Sequence, residues 1–282
     1  CKLPWEITRA DIARYLDAQR VAGLSPSTIN QRLAAISSFY TYTSQVYQFP
    51  SLDTPVPQTN PAQSIPRLKT HAYTKSRYLS VEESRALLRA IPRYTTQGLR
   101  DYTLFLTYLV TGRRNSEIRK LQYGDFEISN PIFYYHWSGK GKSRRDQCPQ
   151  IIWESIQDFL CAAGKLESIQ PDDYIFTPLT DRAARLPNVD PARWTRNRPL
   201  SSREVGRLLK KYARRAGLDP SKIRVHTLRH TAAMLRKQAG DDIDQISTFL
   251  GHSSLSTTQV YLHRLAGQSD SSWLRVAELL GL

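Results

Sequence analysis

His226-Thr227-Leu228-Arg229-His230, followed by Leu250-Gly251-His252 and then by Ser256-Thr257-Thr258-Gln259-Val260-Tyr261, gathers imidazole, guanidinium and phenol groups toward one end of the chain. Upstream stand Thr111-Gly112-Arg113-Arg114-Asn115-Ser116-Glu117 and the alternation Gly139-Lys140-Gly141-Lys142. These residue types suit chemistry at a phosphodiester, which needs a nucleophile, positive charge around the non-bridging oxygens and a proton for the leaving oxygen. Arg114 and Arg229 are the candidate clamps, because a guanidinium offers paired donors and stays charged at physiological pH. With 40 Lys and Arg in the chain, a surface role is the competing reading for either one alone. His226 and His230 stand one helical turn apart, a spacing that also admits a metal site. No Glu follows His226 and no third ligand is evident, so no metal or other cofactor is assigned. Gly251-His252 likewise admits a plain helix stop followed by a polar residue.

Working outward, helical spacing governs most of the chain. Ile12, Tyr15 and Leu16, then Ile29, Leu33, Ile36 and Tyr40, recur on helical faces on either side of Gly23-Leu24-Ser25-Pro26. Ser80 with Glu83 and Ser201 with Glu204 are capping boxes, opening helices at Val81 and at residue 202. The second helix carries Val205, Leu208, Leu209 and Tyr212 on one face, and Arg207, Lys210, Lys211 and Arg214 on the other. That basic face is either a nucleic-acid surface or an ordinary solvated one. Leu99 to Val110 reads as a buried helix stopped by Gly112. Ile132 to Tyr135 and Gln150 to Ile152 are strand-like, and they flank a hairpin turn at residues 138–142. Pro50, Pro55, Pro57, Pro61 and Pro66 block regular structure and mark an interdomain connection. The expected division is a helical DNA domain over 1–60, a linker over 61–77 and a catalytic domain over 78–282 with a C-terminal tail helix.

Bulk properties narrow the partners. The chain has 282 residues, is 40% hydrophobic and carries a formal charge of +15, which favours a polyanion. No apolar run approaches the ~18 residues of a membrane helix. The odd number of cysteines, Cys1, Cys148 and Cys161, suits a reducing interior, so a cytoplasmic, nucleoid-associated location is expected. The opening Cys-Lys-Leu-Pro-Trp lacks an initiator Met and is expected to belong to a fragment or processed form.

In order and spacing, the motifs quoted above resemble those of the tyrosine recombinase family, the phage integrases and Xer-type recombinases. The resemblance is strong from about Tyr78 to His263 and looser over the helical N-terminal part. It implies a mainly α fold with a small antiparallel β-sheet, arranged as a two-domain DNA clamp whose core-binding domain here lacks its first helix. It also implies a catalytic set of Arg114, Lys140, His226, Arg229, His252 and Tyr261. In that set Tyr261 is the nucleophile, forming a 3′-phosphotyrosyl bond without ATP or metal, and His226 and His252 assist. Lys140 would protonate the departing 5′ oxygen, with Lys142 a close rival and an ordinary polar turn the bland alternative. Glu117 would be structural, or would orient nearby side chains. The segment Pro178 to Pro199, rich in arginine, looks longer than the family's connector and would touch DNA or a partner, or form a surface excursion.

The implied activity is site-specific recombination of duplex DNA at paired half-sites, by a homo-tetramer passing through a four-way junction. Two other readings compete: relaxation of DNA by a type IB topoisomerase-like single-site activity, and a catalytically silent DNA-binding protein of the same fold. The tail residues Trp273, Leu274, Val276, Leu279 and Leu280 form an apolar helical face. It would fold back on its own domain or, by the resemblance, dock into a neighbouring protomer.

Overall fold

A computed structural model describes residues 2–45, 60–70, 77–129, 132–139, 142–179 and 198–251. The chain divides into two compact units, Cys1–Ala72 and Tyr73–Leu282.

In the first unit a short 3-10 turn, Pro4–Glu6, precedes α1 (Arg9–Val21) and α2 (Pro26–Gln45). Thr8 and Asp11 cap α1 reciprocally: the Asp11 N–H donates to Thr8 Oγ1 at 3.3 Å, and the Thr8 N–H donates to the Asp11 carboxylate at 2.9 Å. Ile12 and Leu16 of α1 meet Ile29, Leu33 and Tyr40 of α2 in a small apolar core. Residues 61–70, part of the linker expected over 61–77, pack on that core. Ala62 is buried, Ile65 and Leu68 lie against it, and the Asn30 amide exchanges hydrogen bonds of 2.8 and 2.9 Å with the Leu68 backbone. Proline forbids a helix or ladder here but leaves the apolar side chains free to be buried.

The second unit is built around α4 (Thr96–Thr111), whose Leu104, Phe105 and Tyr108 are completely covered. It packs against α6 (Gln150–Ala162) and α8 (Val225–Gln238), with α3 (Val81–Arg89) and α7 (Ser202–Arg215) completing the layer. Both expected capping boxes form, at Ser80 with Glu83 and at Ser201 with Glu204. Gly112 ends α4 with φ 57°, in the left-handed region, and a Cβ there would stand 2.7 Å from the Phe249 ring. Only glycine satisfies both constraints. At the centre, the fully buried Asp101 accepts from the Arg100 guanidinium and from the Tyr212 hydroxyl, the latter at 2.7 Å. This pairing compensates a charge that would otherwise be costly to bury.

β1 (Phe126–Ser129), β2 (Ile132–Gly139) and β3 (Lys142–Cys148) form an antiparallel sheet in that order, with Phe126 opposite Tyr135, Tyr135 opposite Asp146, and Gly139 opposite Lys142. One expectation is corrected here. The strand returning from the hairpin is Lys142–Cys148, and Gln150 to Ile152 open α6 instead. The apolar pair at Ile151 and Ile152 belongs to a helical series in which Ile152, Trp153, Ile156, Phe159 and Leu160 are buried. Lys-Ser-Arg-Arg-Asp-Gln-Cys carries too few apolar residues to announce a strand.

Candidate active site

α5 (Asn115–Arg119) begins immediately beyond Gly112, with Arg114 as its N-cap residue. The Glu117 carboxylate accepts the Arg114 N–H at 2.8 Å and its Nη1 at 2.9 Å, so one buried carboxylate fixes both backbone and side chain of Arg114. Asn115 accepts from the Tyr108 hydroxyl at 2.5 Å and donates to Ser202 Oγ at 2.7 Å, which ties α5 to α4 and α7.

α8 supplies the other half. His226 lies exposed in its first turn and Arg229, 4% exposed, is one turn deeper. Arg229 Nη1 donates to the Gly112 carbonyl at 2.8 Å, and Nη2 donates to the Leu250 carbonyl. Leu250 is the last residue of α9 (Ile243–Leu250), which Gly251 terminates with φ 65°. One guanidinium therefore joins the turn leading to Arg114, the helix bearing His226 and the residue two before His252.

Arg114, His226 and Arg229, named from sequence, are brought together. The imidazole of His226 is held below its ordinary pKa by partial desolvation, then by the charges of Arg229 and Arg114. His230 packs edge-on against it with ring centroids 4.5 Å apart, and its pKa falls to about 4 through burial, then His226 and Arg229. Both shifts favour the uncharged ring near neutral pH. Among the described residues, no third His, Cys, Asp or Glu joins these two to form a metal-binding group.

A cleft of about 380 Å³ opens here, lined among others by Asn115, Ser202, Lys210, Arg224, His226 and Arg229. The basic face of α7 continues from it: Arg207, Lys210 and Arg214 are exposed, while Val205, Leu208, Leu209 and Tyr212 are buried. Lys140, His252 and Tyr261 lie outside the described residues, as do most of Pro178 to Pro199 and the whole tail after Gly251. Gly139 and Lys142 on either side of the hairpin turn, and Gly251 before His252, are described. Gly139 and Lys142 pair at the hairpin tip, and a Cβ on Gly251 would stand 3.5 Å from Arg144 Nη1 and 3.6 Å from Trp137. The hairpin and the end of α9 are thus adjacent.

Sequence reasoning overlooked Arg113. It sits beside Arg114, yet it is 5% exposed and turns into the sheet, toward Tyr135 and Asp146. Nothing in two consecutive arginines tells which one faces inward.

Fold and site together define a phosphodiester-handling unit, in which fixed guanidinium groups and a neutral imidazole converge on a basic surface. The chain belongs to the phage integrase family, whose model matches residues 77–267. It is 30% identical over 264 residues to tyrosine recombinase XerC of Pelotomaculum thermopropionicum, covering 93% of this chain and 78% of that protein. Tyrosine recombinase XerA of Pyrococcus furiosus is 28% identical over 255 residues, covering 90% and 76% respectively. Among solved structures, the XerH recombinase bound to its palindromic difH substrate after cleavage superposes with TM-score 0.69 at 21% identity, covering 98% of this chain and 72% of that one. A lambda integrase dimer bound to a core site gives TM-score 0.60 at 16% identity, covering 95% and 67%. Among the described residues no helix is long and apolar enough to cross a membrane.

Proposed function

We propose that this chain is a site-specific DNA recombinase that cleaves and rejoins duplex DNA through a covalent 3′-phosphotyrosyl bond to Tyr261. The observation that carries the reading is that His226 feels the charges of both Arg229 and Arg114, and with Arg229 lines one cleft, in a chain of this family.

The two guanidinium groups neutralise the non-bridging oxygens as charge develops on the pentacoordinate phosphorus. Tyr261 Oη attacks, the bond from phosphorus to the 5′ oxygen breaks, and Lys140 gives that oxygen a proton. A free phenol titrates at roughly 10, so the Tyr261 proton must leave during attack, to His226 or His252. The phosphotyrosyl bond keeps the energy of the broken linkage, and attack by a 5′ hydroxyl reverses every transfer. Burying Arg229 against two carbonyls pre-sets its orientation, so little reorganisation accompanies the reaction.

Four protomers bring two sites together and exchange strands in pairs through a four-way junction. The apolar face of Trp273, Leu274, Val276, Leu279 and Leu280 docks on a neighbouring protomer, since a short helix of this kind is marginal unless that face is covered. Deletion of residues 271–282 therefore weakens cooperative assembly on paired sites and spares single-site binding. Unchanged synapsis, or loss of folding without DNA, would refute docking between protomers.

The deciding experiment is recovery of the covalent protein–DNA adduct, with the DNA sequence and the modified residue both mapped. An adduct on Tyr261 at a defined sequence, with exchange between two such sites, is expected. An adduct on another residue overturns the assignment, and relaxation without exchange points to a topoisomerase.

A further inference from the structure

The β2–β3 hairpin and the end of α9 meet around the guanidinium of Arg113. Its Nε donates to the Tyr135 hydroxyl at 3.0 Å, Nη1 to the Phe249 carbonyl at 2.8 Å and Nη2 to Asp146 Oδ2 at 2.6 Å. The Trp137 indole N–H donates to the same Asp146 oxygen, and the Arg113 guanidinium carbon lies 4.3 Å from the centre of the Trp137 ring. Tyr135 stands directly opposite Asp146 across the two strands, and Trp137 opposite Arg144, so these four residues share one face of the hairpin. Every nitrogen of Arg113 already has a protein acceptor. It is therefore a joint between the sheet and the end of α9.

The two sides of the joint are not equally secured. The end of α9 has a second strong anchor, because Arg229 holds the Leu250 carbonyl independently of Arg113. Among the described residues, the further hydrogen bond between the hairpin and α9 is the longer one from Arg144 Nη1 to the Thr248 carbonyl, 3.3 Å. Loosening Arg113 or Asp146 should thus release the hairpin and leave α9 in place. The released part includes the strand ends Gly139 and Lys142, which bracket Lys140.

We propose that Arg113 and Asp146 are positioning residues for the strand-cleavage reaction: they clamp the β2–β3 hairpin to α9 and thereby set where its tip meets the leaving oxygen. The inference rests on the reading of Lys140 as proton donor. It assigns a role to Arg113 that its neighbour Arg114 does not share. Asp146 has an outer edge, its side chain being 34% exposed, so it can be altered with less damage than the buried arginine.

The test compares full-length Asp146→Asn, Arg113→Met and Lys140→Ala on two versions of the mapped site, ordinary DNA and DNA with a 5′-bridging sulfur. The thiolate leaves without a proton, so a defect confined to proton donation disappears on the sulfur substrate. Amide exchange of the hairpin and of α9 is followed in the same proteins. Asp146→Asn is expected to slow adduct formation on ordinary DNA by at least about tenfold and to come within about threefold of the unaltered protein on sulfur DNA. Exchange should quicken in the hairpin and stay unchanged in α9. Arg113→Met should show the same pattern, and if it does not fold the asparagine variant decides alone. Equal losses on both substrates while Lys140→Ala is rescued, or an unchanged hairpin exchange rate, would overturn the proposal. If Lys140→Ala itself is not rescued, its role as proton donor falls, and the exchange measurement alone decides whether the hairpin is clamped.

Discussion

Replacing Arg229 by lysine keeps the charge and removes the fork, and the structure says what that should do. The guanidinium is 4% exposed and holds the Gly112 and Leu250 carbonyls at once. An ammonium is compact and can satisfy one of them, leaving a buried carbonyl without its donor. Losing a charge-assisted bond so that a buried carbonyl is left without its donor costs about 3 kcal/mol. For a unit of this size that is a fall of roughly 6–12 °C in Tm. Arg114→Lys is the control. Its side chain is 34% exposed and pairs with Glu117 within one helical turn, so the stability change should stay below about 1 kcal/mol. Both variants should form adduct about 10³-fold more slowly, because each removes a planar pair of donors from the transferring phosphoryl group. Scanning calorimetry gives the stability of each, and single-turnover adduct formation on the mapped site gives the rate. Similar Tm losses in the two variants would refute the organising role of Arg229, and near-normal cleavage by Arg229→Lys would refute its place in the phosphate clamp.

Three further outcomes are expected. Tyr261→Phe should bind DNA with unchanged affinity and yield no covalent adduct, measured by gel shift and by denaturing electrophoresis of the same samples. His230 titrates near 4 when folded against an ordinary 6.5, so between these values the unfolded chain takes up a proton that the folded one refuses. DNA-free stability should therefore decline as pH falls from about 6.5 to 4, by about 2–3 kcal/mol from this residue, and His230→Gln should flatten that part of the Tm profile; parallel profiles would exclude His230 as the source. Removing Arg207, Lys210 and Arg214 together should reduce the slope of log K against log salt by about 0.9 for each DNA phosphate left without its cation. An unchanged slope would mark the α7 face as merely solvated.

The long helices and their caps were legible because their causes are local. Ser80 with Glu83 and Ser201 with Glu204 specify helix starts through bonds spanning three residues. Val205, Leu208, Leu209 and Tyr212 mark a buried face by spacing alone. The candidate residues Arg114, His226 and Arg229, which the fold brings near one another, each belong to a short ordered motif and so could be singled out from sequence. The sheet was less so: β3 has a largely polar sequence, and its place follows from pairing with β2, a partner lying across the turn. Gln150 to Ile152 misled for the matching reason, because a short apolar run fits a strand or a buried helix until its later partners Ile156 and Phe159 are counted.

Sequence by itself determined the family, the residue types gathered for phosphate chemistry and the helical framework, all of which are written in neighbouring residues or ordered motifs. Tertiary structure alone decided what Arg113, the neighbour of Arg114, is bonded to. Gly112 turns the chain in the left-handed region, Glu117 seizes Arg114, and Tyr135, Asp146 and the Phe249 carbonyl supply an acceptor for each nitrogen of Arg113. It also decided that residues 60–70 pack on the N-terminal core, where Asn30 meets Leu68 across 38 positions. In both cases the cause is a hydrogen-bonding partner or an apolar surface remote in the chain, and local residue type does not specify it.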